Sequence, residues 1–123
     1  MSQKILVVDD CRLTREITRD MLDEAGFEVV TAECALSANP LIEASPPPDL
    51  ILMDVVLPDV SGDRKARRMK SREVSRTIPV VLISTKPRDE LRRLARQSGA
   101  DGFLQKPLSR SLLLEEINRL LSS

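Results

Sequence analysis

Four groups of residues could do chemistry together in this sequence: the pair Asp9-Asp10, Asp54, the hydroxyls Ser84 and Thr85, and Lys106. Each closely follows a short apolar run: Ile5-Leu6-Val7-Val8, Leu50-Ile51-Leu52-Met53, Val80-Val81-Leu82-Ile83 and Phe103-Leu104. Short apolar runs bounded by turn residues read as strands buried on both faces. The polar groups would then stand at strand carboxyl ends, on the rim of a sheet. A carboxylate buried there alone is costly, so it must be solvated, paired or bound to a metal. If Asp9, Asp10 and Asp54 converge, they repel one another strongly. A hard divalent cation resolves that repulsion, and an all-oxygen site with open positions suits Mg²⁺. Three carboxylates, one such ion and Lys106 make a neutral set.

Composition removes most competing chemistries. The chain contains no His, Trp or Tyr, which excludes Ser-His-Asp and Cys-His catalysis and histidine-ligated zinc. Its 19 Lys and Arg balance 19 Asp and Glu, so no bulk charge points to nucleic acid or a membrane surface. With 41% hydrophobic and 31% charged residues in 123, the sequence suits one soluble domain over residues 1–123. Neither a signal-peptide pattern nor an apolar run of about 20 residues is present. Cys11 and Cys34 have no metal-ligand spacing and read as buried or half-buried free thiols in a reducing cytosol. The expected location is cytoplasmic.

The elements that would position the site alternate regularly. Lys4–Val8 reads as a strand. Leu13, Ile17, Met21 and Ala25 then mark the apolar stripe of a helix, closed by Gly26. Phe27–Ala32 reads as the second strand. Residues 35 to 45 suggest a helix that Asn39-Pro40 should kink or restart. After the strand at Leu50–Met53, residues 63 to 72 form a polar helix with only Ala66 and Met69 apolar. Ile78–Ile83 is a strand with Pro79 near its start. Pro87 can occupy the first turn of a helix that places Leu91, Leu94, Ala95 and Ser98 on one face before Gly99. Asp101–Leu104 is a brief strand. A helix from about Ser109 should bury Leu113, Ile117 and Leu120, with Leu114 and Leu121 beside them. Five strands alternating with five helices imply an α/β fold: a parallel sheet with right-handed crossovers and helices on both faces. Ligands bind such doubly wound sheets at the strand carboxyl ends, at the topological switch point.

With these residues in place, the whole chain resembles the receiver domain of two-component response regulators, chemotaxis-regulator-like in its plan. The resemblance rests on Asp9-Asp10 after the first strand and on Met53-Asp54 with Pro58 and Gly62 downstream. Ser84 and then Lys106-Pro107 follow at the family's spacing. It implies a flavodoxin-like five-stranded sheet in the order 2-1-3-4-5, flanked by five helices. It also implies that Asp54 is the phosphoacceptor, taking a phosphoryl group from a phosphohistidine in a Mg²⁺-dependent reaction. Asp10, Asp54 and the backbone carbonyl of Val56 would hold the Mg²⁺ directly, and Asp9 would act through a metal-bound water. Lys106 and Ser84 would contact the phosphoryl oxygens. Ser84 and Phe103 would form the switch, and the Lys106-Pro107 peptide is commonly cis in the family. Such a domain is not an enzyme beyond catalysing its own phosphorylation and dephosphorylation. Its partners would be a histidine kinase or phosphotransfer protein and an unnamed downstream protein. The downstream surface would be the helix bearing Arg92, Arg93 and Arg96 together with the last helix, and a phosphorylation-dependent dimer is also open. Nucleic acid and membrane are not expected as direct partners. The chain ends about where the last helix should, so no output domain is expected, and it is either a stand-alone regulator or part of a longer protein.

Some positions depart from the family pattern or read in two ways. Thr85 stands where the family usually has a small residue. Val56 and Lys86 fill the two variable positions that influence acyl-phosphate hydrolysis, and an apolar Val56 cannot hold an attacking water. A phosphoryl state lasting minutes or longer is therefore expected. The alternative is a receiver-fold interaction module that works independently of phosphorylation. A flavin binder would need a phosphate-cradling loop and aromatic rings, and the sequence offers neither. Alone, Asp9-Asp10 reads as a turn and N-cap pair, Ser84 as a strand-end hydroxyl and Phe103 as core. The basic run Arg64, Lys65, Arg67, Arg68, Lys70 and Arg72 reads as a solvated helix face rather than a nucleic-acid site.

Overall fold

A computed structural model of the chain describes residues 2–122. The elements run β1 (Lys4–Val8), α1 (Arg12–Glu24), β2 (Glu28–Ala32), α2 (Ala35–Ile42) and β3 (Leu50–Asp54). They continue with α3 (Gly62–Lys70), β4 (Val80–Ser84), α4 (Arg88–Ser98), β5 (Gly102–Gln105) and α5 (Arg110–Leu121). All strand pairs are parallel and the sheet order is β2-β1-β3-β4-β5, as the resemblance implied. Alternate residues of each strand feed opposite layers. Ile5, Val7, Leu50, Leu52, Val81 and Ile83 pack with Leu22 of α1 and with Leu113 and Ile117 of α5. Leu6, Val8, Ile51, Met53, Val80 and Leu82 pack on the other face, against α2, α3 and α4. Each such side chain taken from water contributes about 1.5–3 kcal/mol, which is why both strand faces are apolar.

The α4 face is as the spacing predicts, with Leu91, Ala95 and Ser98 buried. The α1 face is not. Leu13 and Ile17 are exposed, and the buried seam runs through Thr18 and Leu22. The Thr18 hydroxyl is satisfied by the Thr14 carbonyl at 2.7 Å, so a polar residue can occupy the seam at little cost. Helix α2 runs unbroken through Pro40. It is short, so the proline forfeits one intrahelical bond, and three residues on, the Glu43 amide still reaches the Asn39 carbonyl at 3.0 Å. Pro87 is the N-cap of α4 rather than a first-turn residue. Cys11 is exposed and Cys34 half-buried. The basic run on α3 is not wholly solvated: Lys65 is buried, and the Lys70 ammonium binds Asp101 and the Ile78 carbonyl, each at 2.7 Å.

Two features hold the loop between β3 and α3. Gly62 lies so close to β3 that a Cβ there would meet the Asp54 carbonyl oxygen at 1.9 Å, and its amide donates to the Val55 carbonyl at 2.8 Å. Asp59 reaches across to the start of α2, accepting from the Ala35 and Leu36 amides at 3.0 and 2.8 Å. With the Leu36 amide as the chief cause, its carboxyl is held down to about 2. A depressed acid stabilises the fold when ionised, so this contribution is complete above the ordinary carboxylate range and is lost as pH falls toward 2. Replacing Asp59 by Ala should lower Tm by a few degrees at pH 7 and by progressively less as pH drops toward 2, as followed by far-ultraviolet circular dichroism.

Candidate functional site

β1 and β3 are neighbours at the point where the strand order reverses, and their register pairs Val8 with Met53. Asp9 and Asp54 therefore leave the sheet side by side. Asp10 joins them, and the three residues offer one carboxylate oxygen each within 4.8 Å of one another. Asp9 and Asp54 are buried and Asp10 is exposed, so the cluster opens to solvent on one side. Lys106 arrives from the β5–α5 turn, where its amide donates to the Ser84 carbonyl at 2.7 Å. Its ammonium lies 2.8 Å from Asp54 Oδ2 and 2.8 Å from Asp9 Oδ2.

The backbone supplies the remaining donors. Asp54 Oδ1 accepts the Val56 amide at 3.0 Å, and Asp9 Oδ1 accepts the Cys11 amide at 2.9 Å. Arg15 fixes the same turn by donating to the Asp9 carbonyl at 2.8 Å. Asp9 Oδ2 has only the ion pair; it is buried and receives no directed hydrogen bond. Burial raises the Asp54 pKa, and the Asp9 charge adds to this, against the opposing pull of Lys106 and the Val56 amide. Burial alone would lower the pKa of Lys106, but its hydrogen bond to Asp54, its close ion pair with Asp9 and the charge of both hold it above its ordinary value. The lysine thus stays a cation beside both buried carboxylates.

An all-oxygen set, carrying more negative charge than one lysine neutralises and including an undersatisfied buried oxygen, fits a hard divalent cation. Asp9, Asp10 and Asp54 are the side chains that could hold it. Val56, whose carbonyl was expected as a ligand, follows directly in the same loop, with its side chain 60% exposed.

The other expected site residues fall around this centre. Ser84 is buried at the end of β4, its hydroxyl accepting the Lys86 amide at 3.0 Å. Thr85 is exposed on the rim. The Lys106-Pro107 peptide is cis. Phe103 is half-buried, with the Arg88 and Arg92 guanidiniums 5.4 and 5.9 Å from its ring centre. Arg92 is thus engaged within the molecule, while Arg93 and Arg96 face solvent. Sequence reasoning passed over Arg88 and Arg15. Arg88 lies one helical turn before Arg92 and so shares its face, a signal that was available. Nothing local marks Arg15.

Comparison with known proteins agrees with the geometry. Residues 5–118 match the family described as response regulator receiver domain. The chain is 38% identical over 122 residues to the phosphate regulon transcriptional regulatory protein PhoB of Escherichia coli, covering 98% of this chain and 52% of that protein. The chain therefore spans about half the length of that relative. It is 31% identical over 121 residues to the polar-differentiation response regulator DivK of Brucella ovis, covering 98% of both. Among solved structures, the receiver domain of sensor histidine kinase PA1611 from Pseudomonas aeruginosa superposes with a TM-score of 0.89 at 27% identity, covering all of both chains. That structure has a magnesium ion coordinated in its active-site cleft. No helix among the described residues is long and apolar enough to cross a membrane.

The raised pKa of Asp54 means that the folded chain loses stability as pH rises through it. Without divalent metal, Asp54→Asn should therefore raise Tm at pH 7 by a few degrees, with the gain shrinking on acidification. Mg²⁺ at ten times its Kd should stabilise the wild type by about 1.4 kcal/mol, and chelation should remove this. Asp10→Asn and Asp54→Asn should largely abolish the Mg²⁺ effect, measured by thermal unfolding with and without chelator.

Proposed function

The chain belongs to the response regulator receiver domain family, and on that footing we propose that Asp54 is its phosphoacceptor, charged from a histidine kinase or phosphotransfer protein. The observation that carries this reading is the Lys106 ammonium, held 2.8 Å from both Asp9 and Asp54 at the sheet's switch point. An Asp54 oxygen attacks phosphorus, the P–N bond of the phosphohistidine breaks, and the histidine nitrogen leaves with the electron pair. Lys106 is placed to follow the charge from the carboxylate onto the phosphoryl oxygens, where a preorganised cation contributes most. Asp10 and Asp54, with Asp9 and the Val56 carbonyl beside them, would hold a Mg²⁺ ion, which would supply positive charge against that of the transferring group. The chain catalyses only its own modification and works in the cytoplasm.

Output follows from the neighbours of the acceptor. The Ser84 hydroxyl, now on the Lys86 amide, closes on the phosphoryl group and draws the β4–α4 turn with it. Phe103 of β5 lies under the Arg88 and Arg92 side chains of α4, so that movement alters the α4–β5–α5 face seen by the downstream partner. Arg93, Arg96 and the exposed Leu112 of α5 lie on these elements. A phosphorylation-dependent dimer would use the same face.

Acetyl phosphate or phosphoramidate with Mg²⁺ should add one phosphoryl group by intact mass, and Asp54→Asn should add none. Absence of phosphoprotein with either donor, while Asp54→Asn retains biological activity, would favour a phosphorylation-independent interaction module instead. Val56 is exposed and apolar and offers an attacking water no hydrogen bond. The acyl phosphate should accordingly persist for minutes or longer in Mg²⁺. Val56→Asn should shorten its half-life by about tenfold, less than a full general base supplies, as read from loss of radiolabelled phosphate.

A further inference from the structure

A second concentration of charge lies away from Asp54, between α2 and α3. A cavity of about 240 Å³ opens there, with Leu36, Asp59 and Val60 on one side and Arg64, Lys65 and Arg68 on the other. The three cations fall on one face of α3, and Arg64 and Arg68, one turn apart, repel each other along the helix. None of them forms an ion pair among the described residues.

Lys65 is the most informative of the three. It is only 9% exposed, and its ammonium has one side-chain partner, the neutral Asn39 carbonyl oxygen. Burial, followed by the nearby charges of Arg68 and Arg72, pulls its pKa below the ordinary lysine value. A buried ammonium with no carboxylate beside it is expensive. The one acid in the wall, Asp59, acts on it only through its charge, because its oxygens are committed to the Ala35, Leu36 and Val60 amides. Glu43, farther along, lies 3.9 Å from Arg72.

We propose that this cleft binds a small phosphate-bearing anion, with Lys65, Arg64 and Arg68 on the phosphate oxygens and the organic part against Leu36 and Val60. Guanidinium forks match pairs of phosphate oxygens, and a lysine adds a compact charge beside them. Converging cations suit a dianionic phosphomonoester better than a single carboxylate. The volume is below the roughly 300 Å³ at which pockets for drug-sized ligands begin, so the ligand is small. No aromatic residue lines the cleft to stack a base. The proposal does not depend on Asp54 being phosphorylated, although the β3–α3 loop that carries Asp59 and Val60 also carries Val56.

The test is a titration of the ¹⁵N-labelled full chain with glycerol 3-phosphate, in chelator so that the acidic cluster holds no Mg²⁺, followed by amide chemical shifts. Saturable shifts should appear at Leu36, Val60 and Arg64–Arg68, and not at Asp9, Asp54 or Lys106. Lys65→Met keeps the buried bulk, and Arg68→Ala alters an exposed residue; each should weaken binding by about tenfold. Shifts that do not saturate, or an affinity unchanged in both variants, would overturn the proposal. Equal binding of succinate would overturn the phosphate assignment. Much tighter binding of an acidic peptide or an oligonucleotide at the same amides would reassign the cleft to a macromolecule.

Discussion

Lys106 between Asp9 and Asp54 is the contact on which the rest of the site depends. Two buried carboxylates at adjacent strand ends would repel across a few ångströms in a low-dielectric rim. One ammonium reaching both makes the arrangement tolerable but leaves it short of positive charge, with Asp9 Oδ2 undersatisfied. That shortfall makes the site receptive to a cation. The sheet makes this possible. Parallel register brings β1, β3 and β4 to one rim at the same height, and the β5–α5 turn crosses to the Ser84 carbonyl to bring the lysine in.

The loop after Asp54 is constrained from both ends. Gly62 presses against the Asp54 carbonyl, so only a residue without a side chain can begin α3 at that distance. Asp59 ties the middle of the loop to the N-terminus of α2. Asp54 is thus held by a short segment braced to a neighbouring helix, which suits its proposed role as a group that must keep its geometry while its charge changes.

The strands and the polar residues at their ends were legible from local pattern, as apolar runs ending in a polar residue, whereas the sheet order came only from the family resemblance. The misreadings occurred where long-range packing outranked hydrophobicity. On α1 a four-residue spacing of apolar side chains suggested a buried stripe. The turn fixed by Arg15 and Asp9 instead points Thr18 and Leu22 inward and leaves Leu13 and Ile17 in water. Pro40 was read as a break, but a helix as short as α2 loses only one bond to it. Lys65 passed for one more solvated cation, because its neutral partner lies on another helix 26 residues away.

The environment of Phe103 has a consequence for how the molecule can be observed. The chain carries only two aromatic rings, Phe27 and Phe103, since Trp and Tyr are absent. Phe27 precedes β2 at the opposite end of the sheet and packs in the layer of α1 and α5. Phe103 borders the other layer, beneath two guanidiniums. The protein is nearly dark to near-ultraviolet absorbance and to intrinsic fluorescence. Its aromatic proton spectrum, by contrast, holds two ring systems in chemically distinct surroundings, one of them at the expected relay between acceptor and output face. Phe103, the proposed switch residue, is thus its own reporter, readable without a label.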